Sequence, residues 1–345
     1  MRRFQCTCGG PIFFDNHQCL NCGARVGFDP DSMTMVPLES RSDLTYCGNH
    51  DHGVCNWLRP AASAESLCGA CHFNRTIPNL ALPYNTERWA ALERAKKRLL
   101  YSLYRLELPM TDGWQDPGRG LLFDFLDDAR TQPETYPDTF ITSGFAGGVI
   151  TINVLEADDV ARTTAQAELR ERYRTLLGHF RHESGHYFWS LLSEDEKAMG
   201  MFADLFGDAS AEYRRFLEHY YDQGPPADWE QRYISAYASS HPLEDWAETW
   251  SHYLLMHDAL ETAHAHGLID TPPMASAFVE RISQWQVVSV GLNEMNQSVG
   301  REDAYPFVIS VQVRNKLAYV DAMISRLRTL PVSYTHLTLP TKVTV

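Results

Sequence analysis

Two histidines and the glutamate between them are the residues of this sequence best suited to chemistry. In His182-Glu183-x-x-His186 the histidines are four residues apart, so on a helix they lie on one face, one turn from each other. Both imidazoles can then bind one zinc ion, and Glu183 can act as general base toward the attacking water. Because a chain with 14 histidines can carry this motif by chance, a third ligand is needed to support a catalytic site.

Two glutamates further along the chain can supply that ligand. Glu244 and Glu248 lie one helical turn apart in an otherwise apolar segment that contains Trp246 and Trp250, where unpaired buried charge is costly. We expect Glu244 to bind the zinc ion and Glu248 to accept a hydrogen bond from a ligand histidine. Two alternatives stay open: Glu248 is the ligand instead, or both acids lie on a solvated helix face.

All eight cysteines lie between Cys6 and Cys71, and they divide into two sets of four. The first set is Cys6, Cys8, Cys19 and Cys22, and the second set is Cys47, Cys55, Cys68 and Cys71. We predict a structural zinc site in each set, because four thiolates suit a closed tetrahedral site. Gly9, Gly10 and Gly23 follow cysteines of the first set, where tight turns need residues that tolerate unusual backbone dihedrals.

The expected compartment favours metal over disulfides at these thiols. The sequence has neither an apolar run of about 18 residues nor an apolar segment close to Met1, so it predicts neither a membrane span nor a signal peptide. We therefore expect a cytoplasmic protein with reduced thiols. Disulfides stay open as an alternative, as do iron in place of zinc and replacement of a second-set cysteine by His50, His52 or His72.

The charge of the chain argues against nucleic acid as a partner. With 30 Lys and Arg against 44 Asp and Glu, the net charge is −14, whereas binding to nucleic acid relies on cations that neutralise phosphates. Residues 1–78 contain six Arg, no Lys and seven acidic residues, a net charge of 6 − 7 = −1. A protease that reads DNA through this region is therefore disfavoured. We expect the region to contact a protein partner or to support the rest of the chain.

The pattern along the chain predicts an α+β protein in three parts. Residues 1–80 form a loop-rich region with two cysteine sites, and residues 81–330 form a mostly helical domain with a small sheet. Residues 331–345 do not continue the helical pattern, and we interpret them as a non-native tail. The predicted helices are Thr86 to Pro109, Asp159 to Leu192, Glu194 to Tyr221, Leu243 to His266, Pro273 to Gln286 and Val311 to Leu327. The predicted strands are Leu121 to Phe125, Phe140 to Ser143 and Val149 to Val154, with a turn at Gly144 to Gly148.

The chain up to about Leu330 resembles the bacterial zinc-binding metallopeptidases that carry an N-terminal zinc-ribbon region. The matching segments are the four cysteines of the first set, Cys55-Asn56-Trp57-Leu58, Leu67-Cys68-x-x-Cys71, Asn74-Arg75-Thr76-Ile77-Pro78 and Ala95-Lys96-Lys97-Arg98-Leu99. The pattern Tyr-x6-Glu-x-x-Ala-Glu that starts at Tyr237 is similar to the gluzincin pattern of the anthrax lethal factor group. This resemblance implies a zincin-type catalytic domain, with Glu244 as third ligand and Tyr237 as catalytic tyrosine.

The predicted function is zinc-dependent hydrolysis of peptide bonds, with one catalytic and two structural zinc ions. Glu183 would take a proton from water and pass it to the leaving amine, and Tyr237 would donate a hydrogen bond to the oxyanion. The alternative for Tyr237 is ordinary packing at the surface. A catalytically inactive, zinc-stabilised adaptor is the competing hypothesis, and Glu183 argues against it, because a structural site has no use for a base.

A zincin-type fold also implies a sheet edge along the cleft, where a substrate backbone can bind as an added strand. We expect this role for Val149, Ile150, Thr151 and Ile152. The alternative is that this segment is an ordinary buried strand.

Overall fold

Short hairpins, one mixed sheet and a set of helices make up the computed structural model, which describes residues 2–159, 161–162 and 175–329. The helices are α1 (Gly69–His72), α2 (Asn85–Arg105), α3 (Leu176–Leu192), α4 (Glu196–Phe206), α5 (Tyr213–Gln223), α6 (Trp229–Arg232), α7 (Pro242–Ala265), α8 (Phe278–Ser298) and α9 (Val311–Leu327). The strands are β1 (Phe4–Gln5), β2 (Pro11–Ile12), β3 (Val26–Asp29), β4 (Thr34–Pro37), β5 (Leu44–Tyr46), β6 (Leu58–Pro60), β7 (Asn74–Thr76), β8 (Leu122–Leu126), β9 (Gly144–Ala146) and β10 (Val149–Asn153). The predicted α+β class is confirmed. Within these residues, no helix is both long and apolar enough to cross a lipid bilayer.

The cysteine-rich region is a series of antiparallel pairs, β1 with β2, β3 with β4 and β5 with β6. An aromatic cluster joins these hairpins to α2. The ring of Phe14 lies 4.9 Å from that of Phe28 and 5.3 Å from that of Tyr101 on α2, and Phe28 lies 4.8 Å from Trp57. Because all four side chains are buried, the cysteine-rich region and α2 share one hydrophobic core.

The mixed sheet has the strand order β7-β8-β10-β9. Parallel pairs link β7 with β8 and β8 with β10, whereas β9 and β10 form an antiparallel hairpin. Its first strand, β7, comes from the segment just after the last cysteine, so the cysteine-rich region also contributes to this sheet. At the other edge lies β9.

The β9–β10 hairpin differs from its prediction. We expected a strand at Phe140 to Ser143 and a turn at Gly144 to Gly148, but the strand is Gly144–Ala146 and the turn is Gly147-Gly148. Both turn residues have positive φ, 54° and 81°, a conformation that glycine adopts without strain. The glycine pair therefore fixes the hairpin register, and Phe140 to Ser143 lies outside it.

The helix boundaries also differ at three places. The helix predicted from Asp159 to Leu192 is interrupted at Thr175, which is extended and accepts a hydrogen bond from the N–H of Gly178 with its side chain, so α3 begins at Leu176. Asp159, Ala161 and Arg162 are helical, as predicted, and residues 163–174 lie outside the described residues. Gly207, with φ of 101°, ends α4 and divides the long helix predicted after Glu194. The predicted Pro273 helix is a short 3₁₀ turn, and α8 begins after it. The helix Val311–Leu327 is confirmed, and the tail at 331–345 lies outside the described residues.

Close packing of α3 against α7 positions the candidate site. A methyl group at Gly185 on α3 would lie only 3.0 Å from Cα of Ala247 on α7. The two backbones are therefore in close contact here, and a larger residue would require them to move apart slightly. Two indoles of α7 bond back to α3: Trp246 Nε1 donates to the carbonyl of Gly185 at 2.8 Å, and Trp250 Nε1 donates to Ser184 Oγ at 3.0 Å. This contact brings the first turn of α7 beside the middle of α3.

Candidate metal centre

Three side chains from α3 and α7 converge in a cleft. His182 and His186 lie one turn apart on α3, and their Nε2 atoms are 3.2 Å apart. Glu244, in the first turn of α7, places one carboxylate oxygen 3.0 Å from His182 Nε2 and the other 3.5 Å from His186 Nε2. The donor atoms of all three lie within 4.8 Å of one another. Two imidazoles and one carboxylate form the donor set of many catalytic zinc sites.

Glu248 contacts the second ring nitrogen of His182, the one that faces away from Glu244. Its Oε1 lies 2.7 Å from His182 Nδ1, and its Oε2 accepts a hydrogen bond from Ser235 Oγ at 2.5 Å. Of the two glutamates, only Glu244 lies in the three-residue donor set, and its side chain is 1% exposed. The two acids therefore do not lie on a solvated helix face.

The charges of this cluster favour a cation between its members. Burial would lower the pKa of His182, but Glu244 and Glu248 outweigh it and hold that pKa well above its usual range. Burial would likewise raise the pKa of Glu244, yet His182 and His186 hold it well below the usual value of a carboxyl. A zinc ion supplies the positive charge with the donor types that are present.

Glu183 lies next to His182 and lines the same cleft. Its Oε1 lies 3.0 Å from His179 Nε2, whereas its Oε2 is buried and has no hydrogen-bond partner among the described residues. The other ring nitrogen of His179 lies 2.5 Å from Glu156 Oε2. Burial would lower the pKa of His179, but Glu156 and Glu183 together raise it to about 9. Near neutral pH, this imidazole therefore donates from both nitrogens.

Two tyrosines face the metal-ligand candidates. Tyr213 on α5 donates a hydrogen bond to Glu244 Oε1 at 2.7 Å. The ring of Tyr237, in the 3₁₀ turn before α7, lies 6.0 Å from the ring of His182. Burial, with the nearby charge of Glu244, raises the pKa of Tyr237 well above that of a free phenol, so its hydroxyl stays protonated and can donate. Tyr237 therefore lies in the cleft and not on the outer surface.

The cleft above these residues has a volume of about 1340 Å³. The cleft is lined by aromatic residues of α5 and of the segment after it: Tyr213, Tyr220, Tyr221, Trp229 and Tyr233. It is also lined by Gly144 and Phe145 of the edge strand β9 and by Ser143 just before them. A space of this size suits a segment of peptide chain more than a single small molecule.

The strand expected to bind substrate is not at the sheet edge. In β10, Val149, Ile150 and Thr151 pair with β8 on one side and β9 on the other, and Ile152 is fully buried beside Phe125 of β8. Strand addition needs free backbone groups at an edge, so the prediction for Val149, Ile150, Thr151 and Ile152 is wrong. The edge strand is β9. The prediction failed because the sequence pattern did not reveal that Gly144–Ala146 forms a further strand.

The first cysteine set forms one compact cluster. The Sγ atoms of Cys6 and Cys22 are 3.7 Å apart, as are those of Cys8 and Cys19. About 3.8 Å is expected between thiolates placed tetrahedrally around zinc at about 2.3 Å, and a disulfide would be much shorter. Hydrogen bonds from Asn21 and from the N–H of Gly10 lower the pKa of Cys8 to about 6, whereas at Cys22 a backbone hydrogen bond at Ala24 is outweighed by the neighbouring thiols, Cys8 first among them, which raise the pKa of Cys22. Cys8 is therefore the thiol of this pair that ionises more readily.

Two of the three glycines of this cluster have the predicted role. Gly9 and Gly23 have positive φ, 81° and 74°, and each ends a tight turn after a cysteine. Gly10 has a different reason for its size, because a methyl group there would lie 2.8 Å from Cβ of Asn21.

The second cysteine set is fully buried, and Cys47, Cys55, Cys68 and Cys71 form one cluster. The Sγ atoms of Cys55 and Cys68 are 3.7 Å apart, and the N–H of Trp57 donates to Cys55 Sγ at 3.4 Å. All eight cysteines of the chain are free thiols in the structure, so the disulfide alternative is not supported.

The nearby histidines have other contacts. His50 Nδ1 lies 3.0 Å from the carbonyl of Cys55, His52 packs against Trp89, and His72 lies 3.8 Å from Asp112. None of the three histidines belongs to the four-sulfur cluster that the described residues form.

Sequence reasoning missed His179, Glu156, Tyr213 and Ser235. One signal for His179 was available, because it precedes Glu183 by four residues and therefore shares its helix face. Glu156 and Tyr213 are 27 and 30 residues away from Glu183 in the sequence, and Ser235 is 13 residues away from Glu248. No local pattern marks these three residues.

Family models and related sequences match this chain over most of its length. The model of a family described as "Putative zinc-binding metallo-peptidase" matches residues 85–323, and that of a zinc-ribbon domain matches residues 3–82. Uncharacterized proteins of Mycobacterium bovis and Mycobacterium tuberculosis are each 38% identical over 333 residues, which is 94% of this chain and 95% of theirs. No solved structure shows a significant match. The family descriptions and the cysteine clusters together support zinc binding.

Proposed function

Because this chain belongs to that zinc-binding metallopeptidase family, we propose that it hydrolyses peptide bonds, with zinc held by His182, His186 and Glu244. The observation that carries the proposal is the convergence of these three donor groups beside Oε2 of Glu183, a buried carboxylate oxygen that has no hydrogen-bond partner in the part of the chain that the structure describes. When bound, zinc supplies a Lewis acid that acidifies water and polarises a carbonyl group.

Glu183 is the proposed general base. A buried carboxylate oxygen without a partner is costly. Oε2 of Glu183 is buried and finds no partner among the residues described, so it is the oxygen available to accept a proton from the attacking water. The same oxygen can then donate that proton to the leaving amine. Glu248 orients the imidazole of His182 through its Nδ1, which leaves Nε2 as the metal-binding nitrogen.

Tyr237 is the proposed donor to the oxyanion, as the gluzincin resemblance implies. Two observations support this role: it lines the cleft beside His182, and its hydroxyl stays protonated. Tyr213 already donates to Glu244 and fits better as a residue that orients this carboxylate.

The edge strand β9 is the proposed binding site for the substrate backbone. Gly144 and Phe145 line the cleft, and among the described strands β9 pairs only with β10. An extended peptide that adds to β9 would lie between the sheet and the aromatic residues of α5.

The two cysteine clusters are proposed as structural zinc sites, because small loop-rich regions gain folding free energy from metal binding. Their reduced thiols fit the expected cytoplasmic location. A protein partner for this region remains part of the proposal, and nucleic acid does not, because the region has no net positive charge.

Cleavage of a peptide library tests this function. The zinc-loaded full chain is incubated with proteome-derived peptides, and new termini are identified by mass spectrometry. We expect new termini with the wild type and none above background with Glu183→Gln, which keeps all metal ligands. Identical products from both proteins would contradict the proposal and favour the inactive adaptor.

A further inference from the structure

A hydrogen-bonded chain connects Glu183 to the end of the sheet. It begins at Oε1 of Glu183, passes through both ring nitrogens of His179, and reaches Oε2 of Glu156 in the 3₁₀ turn after β10. Neither His179 nor Glu156 belongs to the three-residue donor set. The contacts of these two residues therefore need an explanation other than metal binding.

The Glu156 end of this hydrogen-bonded series is fixed by further hydrogen bonds. The second oxygen of Glu156 accepts a hydrogen bond from the hydroxyl of Ser143, and the N–H of Asn153, the last residue of β10, donates to Ser143 Oγ at 2.9 Å. The Asn153 side chain donates in turn to the buried Asp128 at 2.7 Å. Glu156 is thus held by the sheet end, and it holds the ring of His179 in one orientation.

The two carboxylate oxygens of Glu183 have different surroundings. Oε1 lies 3.0 Å from His179 Nε2, while Oε2 has no partner among the described residues. The terminal torsion of a glutamate is otherwise broad, so an unrestrained carboxylate would present either oxygen in many orientations. The side chains of His179 and Glu156 are 14% and 16% exposed, which limits competition from solvent for these hydrogen bonds.

We propose that His179 is the positioning residue for the general base. Held by Glu156, it binds Oε1 of Glu183 and so leaves Oε2 as the oxygen that receives the proton of the attacking water. The effect on catalysis rests on the proposed peptidase function, but the hydrogen bonds between Glu183, His179 and Glu156 can be tested without any activity. His179 does not contact the substrate in this account, and it acts through Glu183 alone.

The first experiment needs no activity. Histidine labelled with ¹⁵N in the ring is incorporated into the zinc-loaded full chain, and the signals of His179 are assigned by their loss in His179→Gln. We expect a proton on Nε2 with a downfield resonance that moves upfield in Glu183→Gln, because a neutral amide oxygen is a weaker acceptor than a carboxylate. An Nε2 without a proton, or a resonance that Glu183→Gln leaves unchanged, would overturn the proposal.

The second experiment separates positioning from a structural role. His179→Leu removes the donor to Glu183, whereas His179→Gln can place an amide N–H near the position of Nε2. We expect His179→Leu to lower kcat roughly tenfold to a hundredfold, as is typical of residues that orient a catalytic group, with KM and zinc content unchanged. His179→Gln should recover most of the lost kcat.

The matched pair at Glu156 extends this test. Glu156→Gln keeps an acceptor for His179 and should resemble the wild type in kcat, while Glu156→Ala should resemble His179→Leu. If His179→Leu keeps full kcat, or if His179→Gln is as slow as His179→Leu at equal zinc content, the positioning role is refuted. If the wild type cleaves no peptide, the proposed function fails. The resonance of the His179 Nε2 proton then decides alone whether His179 donates a hydrogen bond to Glu183.

Discussion

Gly185 is the residue at which a single added methyl group should disturb both stability and the metal centre. In Gly185→Ala, the new Cβ would lie 3.0 Å from Cα of Ala247 and 3.2 Å from Cδ1 of Trp250. Backbone cannot yield to such a contact as a flexible side chain can, so α3 and α7 must move apart. Overpacking of this kind costs about 1–3 kcal/mol, while the change from glycine to alanine in a helix gains about 1 kcal/mol.

Gly200 in α4 provides the matched control. A methyl group there meets no atom within 4 Å, so Gly200→Ala should gain the same helix propensity without the clash. The difference in free energy of unfolding between the two variants therefore isolates the overpacking, about 1–3 kcal/mol. We expect Gly200→Ala to be as stable as the wild type or more stable, and Gly185→Ala to be less stable than Gly200→Ala.

Urea unfolding of the zinc-loaded proteins, together with zinc content after dialysis, measures both effects. Because α3 carries His182 and His186 while α7 carries Glu244, Gly185→Ala should also lose its most weakly held zinc at a lower chelator concentration than Gly200→Ala. Equal stability and equal zinc retention in the two variants would refute the idea that close contact of these helices builds the site.

Three further predictions concern the zinc clusters, the oxyanion donor and the helix core. Cys68→Ser should unfold far more easily than Cys8→Ser in thermal melts, because Cys68 is buried and Cys8 is exposed, and each variant should lose about one zinc. Tyr237→Phe should lower kcat roughly a hundredfold in peptide cleavage at unchanged zinc content, and full activity would remove it from the mechanism. Lys316→Met should lower the free energy of unfolding in urea by about 3–5 kcal/mol, because it leaves the buried carboxylate of Asp245 without the Lys316 ammonium that lies 2.5 Å from its Oδ2. Asp245→Asn in the same chain should restore part of that loss.

The metal-ligand candidates could be predicted because their signals are local. His182 and His186 share one helix face by their spacing, and the eight cysteines occur in closely spaced groups. Glu244 was identifiable as a carboxylate in an apolar helix, where a buried charge needs a partner. The structure brings each of these sets together.

The errors arose where long-range contacts or glycine geometry decide the outcome. The pattern of Val149 to Val154 marks a buried strand, but only pairing with β9 shows that it is not the edge. Two glycines at positive φ, Gly147 and Gly148, set the turn before β10, whereas the sequence predicted a turn at Gly144 to Gly148 without showing which of these residues form it. His179 and Glu156 meet across 23 residues of sequence, so no local pattern joins them to Glu183.

Zinc content per chain, measured by plasma mass spectrometry on the wild type, Glu244→Ala and Glu248→Gln, tests whether His182, His186 and Glu244 bind a metal ion. Glu248→Gln keeps an acceptor for His182 and serves as the matched control. We predict about three zinc ions in the wild type and in Glu248→Gln, and about two in Glu244→Ala, because two four-cysteine sites would remain. Two zinc ions in the wild type, with no change in Glu244→Ala, would contradict a metal centre built from His182, His186 and Glu244.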